Sequence, residues 1–272
     1  MPHTWYLSAD TQLFVLGLFV MMVVINNPRK ANTTFVSLFV AGILVTFAQH
    51  YYNAYDIVFR SYPELMYNLF LNLPFWHSFY IATHHQIPCY VMGLAAGFYI
   101  HKWRKEKVKI TLNKFWYTIW FIYSWVAPIG TILSAAPFYE DGFSTTRLNA
   151  ALYNAFSRFS FGLPILIVII VFIFGQGRPL LDFINWRPFH VLGRLTFAVY
   201  LIHLHILRMN IGVTRTLHHV SDRSLIRWVF GDITISFLMA TIVCLFIELP
   251  ASAIQKVLLS TEKKTESKAK NQ

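Results

Sequence analysis

Long apolar blocks alternate with short polar stretches along the whole of this chain. A transmembrane helix needs about 20 mostly apolar residues. Candidate spans run from about Thr11 to Ile25, Thr34 to Ala48, Ile87 to Ile100, Phe115 to Ala135, Ala151 to Phe174, Phe189 to Met209 and Phe230 to Pro250. The second and third are short, and the third is expected to extend upstream. The pattern predicts an all-α fold, a polytopic transmembrane helix bundle of about seven spans. The longest connection, Gln49 to Gln86, is rich in Tyr and Trp. That composition suits short helices lying at headgroup level. After Leu259 comes STEKKTESKAKNQ, read as a disordered basic tail over 260–272. No internal repeat and no boundary divides residues 1–259.

Composition supports the membrane reading. Of 272 residues 56% are hydrophobic and 13% charged, against roughly 25% charged in a soluble domain. Mean hydropathy is +0.48. A soluble chain could not hide this much apolar surface, and a disordered chain or coiled coil would not carry it. Cys89 and Cys244 both sit in apolar blocks, with no disulfide framework and no zinc spacing, and read as small buried hydrophobes.

The net charge of +11 raises nucleic acid as a partner. The basic residues lie between apolar runs, so membrane orientation explains them and no nucleic-acid partner is expected. Most Lys and Arg fall in one alternate set of loops, from Arg29 and Lys30 through Lys102–Lys114 and Arg178–Arg194 to the tail. The positive-inside bias puts the N-terminus outside and the C-terminus in the cytosol. Arg208, Arg215, Arg223 and Arg227 pull the other way. MPHTWYLSAD has no signal-peptide pattern, so the first span must send a short uncharged terminus outward, or earlier helices precede it.

Five segments, in order, carry a resemblance. Trp5 to Phe14 reads WYLSADTQLF; Pro88, Tyr90, Gly93, Gly97 and Tyr99 follow in one span; LNAALYNAFSR ends at Arg158; FHVLGRLTFAVYLIH ends at His203; Phe246, Glu248 and Pro250 close the series. Together they resemble the acyltransferase-3 superfamily, in its nose resistant to fluoxetine branch, over residues 5 to about 258. The chain departs from the family pattern at Gln86, where Arg is usual, at Phe161, where Trp is usual, and at Phe197, where Tyr is usual. Family members also begin with helices bearing an Arg and a His proposed to run acyl transfer, and neither is found ahead of Met1. The resemblance therefore implies the C-terminal portion of such a domain, incomplete as a catalyst.

The resemblance implies His203, Arg158 and Asp10 as catalytic residues gathered in or near one outward-facing cavity. It implies Trp5, Gln12, Tyr200, Arg194 and Glu248 as substrate-binding. Ionisable groups in hydrocarbon are expensive and usually face a bundle interior or a wet cavity. Tyr200 and His203, three apart, share a helix face, in a stripe with Thr196 and Leu207. His203 can serve as a general base or simply pack between helices. Arg158 can bind an anion or a developing oxyanion, or can pair with Asp10, the reading its position favours. Asp10 by position alone is a helix N-cap. Glu248, just before the helix-stopping Pro250, is expected to pair with a basic residue such as Arg194.

Three further features invite sharper readings. His84 and His85 suggest a metal, but neighbours on a helix point about 100° apart and rarely share an ion, so no metal site is assigned. Gly175-Gln176-Gly177-Arg178 lacks the Lys and Ser/Thr of a P-loop and reads as a helix-ending glycine turn. Lys268 and Lys270 resemble a dilysine retrieval signal of endoplasmic reticulum membrane proteins; a lysine-rich solvated tail is the other reading.

Function then divides three ways. An acyltransferase would take acyl-CoA as donor co-substrate, with no tightly bound cofactor, and pass the acyl group to a hydroxyl or lipid acceptor. A transporter of lipids or xenobiotics would use the same interior cavity without catalysis. A seven-helix receptor fits the topology but lacks the Asp-Arg-Tyr and N-P-x-x-Y patterns and the outer disulfide. Membrane lipids are partners in each case, with the endoplasmic reticulum or plasma membrane as location.

Overall fold

A computed structural model describes residues 4–54, 57, 81–108, 111–140, 145–175, 177–213, 215 and 221–258. Among these residues there are helices and no strands. The long helices are α1 (Trp5–Asn26), α2 (Ala31–Asn53), α3 (Ile87–Lys105), α4 (Lys114–Leu133), α5 (Arg147–Ile173), α6 (Arg178–Ile184), α7 (Arg187–Val213) and α8 (Asp222–Val243). A π-helical turn, Cys244–Glu248, prolongs α8, and helix continues through residue 258.

Six stretches are long and apolar enough to cross a membrane: Trp5–Asn26, Pro28–Asn53, Lys114–Tyr139, Arg147–Ile173, Arg187–Val213 and Asp222–Leu258. The protein is a multi-pass membrane protein. The third expected span is a helix too, α3, but its last turn carries Lys102, Arg104 and Lys105. Its apolar part is shorter than a bilayer is thick. Most other helices exceed their sequence-based bounds because polar ends such as Gln49 and His50 continue the helical backbone, whereas α4 stops at Leu133, short of the expected Ala135. Residues 58–80 of the long connection lie outside the described residues, as does the tail over 260–272.

Local signals account for the helix ends. The Asn113 side chain caps α4 by accepting from the Trp116 amide at 2.9 Å. Thr146 caps α5 through the Asn149 amide at 3.3 Å. Ser221 and Ser224 form a reciprocal capping box ahead of α8. Pro28 follows the end of α1. After α5, Gly175 takes φ +73° and Gly177 φ +75°. This is the expected glycine turn, and a Cβ on Gly177 would sit 2.9 Å from the Trp120 and Phe172 rings.

The helices form two compact units, divided between Arg178 and Pro179. In the first, α2 packs against α3 and α5, and α4 packs against α5. Val20, Val24, Ala31, Phe35 and Val91 form the core where α1, α2 and α3 meet. Phe39 of α2 meets Phe159 of α5 edge-on at 5.1 Å. Two glycines permit close approach: Gly17 lies under the Tyr90 hydroxyl and Gly42 under the Pro88 ring. Outward faces stay apolar, with Phe14, Leu18, Met22 and Ile25 of α1 all exposed. Such a surface suits lipid, where helix association depends on packing and interhelical hydrogen bonds. In the second unit α7 packs on α8 through small buried residues, Ala198 facing a helix that buries Ser236 and Ala240. The Asn210 amide donates to Asp232 across that pair at 2.6 Å.

Candidate functional site: a cleft at Arg158 and a buried histidine seam

The first residue of α1, the turn before α3 and the middle of α5 converge on a cleft of about 450 Å³. Trp5, Gln86 and Cys89 line one side. Ser157, Arg158, Phe161 and Gly162 line the other. Gly162 faces Cys89 Sγ and Met92 across the cleft wall, where a Cβ would make ordinary contacts at 3.5–3.6 Å. Of the residues singled out in the sequence, the cleft therefore brings Trp5 and Arg158 together. It also gathers Gln86 and Phe161, two positions at which the sequence departs from the family pattern. Arg158 supplies charge-assisted donors to a carbonyl or anion, and Trp5 and Phe161 supply apolar wall.

One turn before Arg158, Asn154 begins a polar seam through the packed interior. His50, His85, Thr46 and Asn154 are exposed by only 2–3%. Their bonds settle where the protons sit. Thr46 donates its hydroxyl hydrogen to the Gly42 carbonyl at 2.9 Å. It must then accept from His85, whose Nδ1–H donates to it at 2.9 Å. The Asn154 amide NH₂ donates to His50 Nδ1 at 3.0 Å, so His50 is neutral and carries its proton on Nε2. His84 points elsewhere and donates from Nε2 to Gln49 Oε1 at 2.7 Å. The His50 and His85 rings are 6.3 Å apart. Arg158 is close enough for its positive field to reach His50. Partial burial holds the His84 ring below its ordinary pKa, since charging it would cost solvation. Among the described residues no three His, Cys, Asp or Glu side chains are arranged to hold a metal ion.

Sequence reasoning passed over His50, Thr46 and Asn154. Asn154 could have been found, as a strongly polar residue inside an apolar span, one turn from Arg158. His50 could not, because it lies at the end of its block and only packing brings it to Asn154.

Asp10 is not a helix cap. The N-cap of α1 is Thr4, which leaves Asp10 well inside the helix. Nor does Asp10 pair with Arg158. The buried stripe of α1 is Ala9, Leu13, Gly17, Val20 and Val24, and Asp10 points about 100° away from Ala9, exposed. Gln12 is exposed as well and donates to Ser8 at 3.3 Å. Neither residue lines the cleft.

The second unit holds the other candidates. His203 is half-buried, and its Nδ1 lies 2.8 Å from the Tyr200 carbonyl and 3.1 Å from that of Val199. Carbonyls only accept, so Nδ1 carries the proton and Nε2 the basic lone pair. The Tyr200 and His203 rings share a face, with centroids 6.1 Å apart. Thr196, expected in the same stripe, is exposed and bonds the Gly193 carbonyl. Glu248 lies four residues beyond Cys244, at the other end of the π turn. Among the described residues Glu248 and Arg194 form no ion pair within 4.0 Å.

A family model described as an acyltransferase domain matches residues 1–249. The chain belongs to the acyltransferase-3 family. Nose resistant to fluoxetine protein 6 of Caenorhabditis elegans is 22% identical over 271 residues, covering 97% of this chain and 32% of that protein. This acyltransferase-3 chain thus spans about a third of the length of the curated relative it matches. No solved structure matches it. The cleft residues and His203, Arg194 and Glu248 all lie within the matched range.

Proposed function

We propose that the protein works as a membrane O-acyltransferase, carrying an acyl group from a coenzyme A thioester to a hydroxyl or lipid acceptor. The observation that carries this reading is the joining of Trp5 and Arg158 in one cleft, backed by the neutral His50–Asn154 pair. In the transfer the acceptor oxygen attacks the thioester carbonyl. The new C–O bond forms, the C–S bond breaks, and the hydroxyl proton ends on the departing thiol. Negative charge collects on the carbonyl oxygen on the way. A guanidinium in a site poor in water stabilises that charge strongly. In the second unit, His203 keeps a lone pair on Nε2 and is taken as a candidate proton acceptor on the resemblance. Glu248 and Arg194 are taken as binding groups. The compartment proposed is the endoplasmic reticulum or the plasma membrane.

The test is acyl transfer from radiolabelled acyl-CoA in membranes containing the full-length protein, with Arg158→Gln beside the natural sequence. Label should appear in a base-labile ester and fall with the variant. Release of free acid alone, or equal labelling by both proteins, would overturn the reading.

A further inference from the structure

We propose that a groove along α3 holds the acyl chain of the thioester donor, with Gly93 and Gly97 as its floor. This rests on the acyl-transfer reading of the cleft. The groove has a volume of about 410 Å³ and is walled by Met21 of α1 and by Tyr90, Leu94 and Phe98 of α3. Cys89 lines both this groove and the Arg158 cleft, so the two are neighbours along one helix. The cleft holds polar groups in Gln86, Ser157 and Arg158, while the groove is almost wholly apolar. A ligand that fills both has a polar reacting end and an apolar tail.

Gly93 and Gly97 lie one turn apart, and a Cβ built on either meets nothing within 4 Å among the described residues. They therefore do not serve helix contact, unlike Gly17 and Gly42. From Cys89 to Phe98 the helix rises about 13 Å. An extended hydrocarbon zigzags and advances about 1.3 Å per ~1.5 Å C–C bond, so this length takes about eleven carbons.

The donor's chain is the occupant, rather than that of a lipid acceptor, for a physical reason. Lipid tails are already solvated in the bilayer, and moving one into a groove brings no hydrophobic gain. Holding a tail matters when it fixes the reacting carbonyl in register with Arg158. Gly93 and Gly97 then set the chain length accepted.

The experiment uses membranes containing the full-length protein and a decanoyl coenzyme A bearing a terminal diazirine. Photolabel is expected on Met21 or within residues 93–98, displaced by unlabelled decanoyl-CoA and lost in Gly97→Leu. Gly93→Leu is the second variant, since leucine enters open space at both positions and the fold should persist. In the transfer assay Gly97→Leu should lower the ratio of decanoyl to acetyl transfer about tenfold or more. Label on other helices, or label that phospholipid vesicles displace but decanoyl-CoA does not, would overturn the groove while leaving acyl transfer intact. Label in the groove without any ester product would uphold the groove and overturn the enzymatic reading.

Discussion

The side-chain amide of Asn154 donates to Nδ1 of His50 at 3.0 Å, joining α5 to α2 inside the bundle. Two helices far apart in the chain are tied here by a polar contact almost shielded from solvent. One donor also fixes the charge state, since an imidazolium would present a second N–H to the amide's own hydrogens.

Asn154→Leu removes that donor while roughly keeping side-chain size. Stability should fall by about 0.5–2 kcal/mol, the range for interhelical hydrogen bonds in membranes. Asn154→Asp should restore part of the loss by accepting from His50, with the ring proton moved to Nδ1. Thermal unfolding of the purified protein in detergent measures the first effect, and histidine nitrogen shifts report the second. Equal melting temperatures for Asn154→Leu and the natural protein would count against the pair as a tie.

Arg158 should matter to turnover more than to folding. Arg158→Gln is expected to lower acyl transfer about 100- to 1,000-fold, the range seen when one oxyanion donor is lost. Arg158→Lys should recover only part, because a point charge lacks the planar fork of donors. Trp5→Ala should act mainly on KM, as loss of cleft wall. These are read from rates in membranes matched for protein content.

His203→Ala should reduce kcat about 100-fold or more if Nε2 receives the acceptor's proton. For a residue that acts in proton transfer, the melting temperature should move less than the activity. A matched loss of melting temperature and activity would instead mark it as a packing residue.

His84 gives a pH signature. Its ordinary value is 6.5 and burial lowers it in the folded protein. As pH falls through 6.5 the unfolded chain takes up a proton that the folded ring still refuses. Its contribution to stability is therefore fully present above that value and is lost as pH falls toward the lowered one. The melting temperature of the natural protein should drop more between about pH 7 and about pH 5 than that of His84→Gln. Parallel curves would show that the ring carries no such linkage.

Two glycine-to-alanine changes should part in sign. At Gly42 a Cβ would sit 2.9 Å from the Pro88 ring, which is rigid, so Gly42→Ala should cost about 1–3 kcal/mol. At Gly93 the Cβ meets nothing, so Gly93→Ala should be neutral or stabilising by up to about 1 kcal/mol through helix propensity. Thermal unfolding of both variants in one detergent checks the contrast.

What the sequence alone determined is the helical, many-times-spanning architecture, because long apolar blocks have no other way to satisfy their backbone in lipid. It also marked Trp5, Arg158 and the Tyr200–His203 face, since motif order and helical spacing are local properties of the chain. Only the tertiary structure decided which polar residues meet. Asp10 looked like Arg158's partner, yet the rotation of α1 that buries Ala9 and Leu13 turns it outward. His50 looked like a helix end, yet the packing of α2 on α5 buries it against Asn154. Periodicity gives the face of one helix; the angle at which that face meets its neighbour depends on side chains distant in sequence.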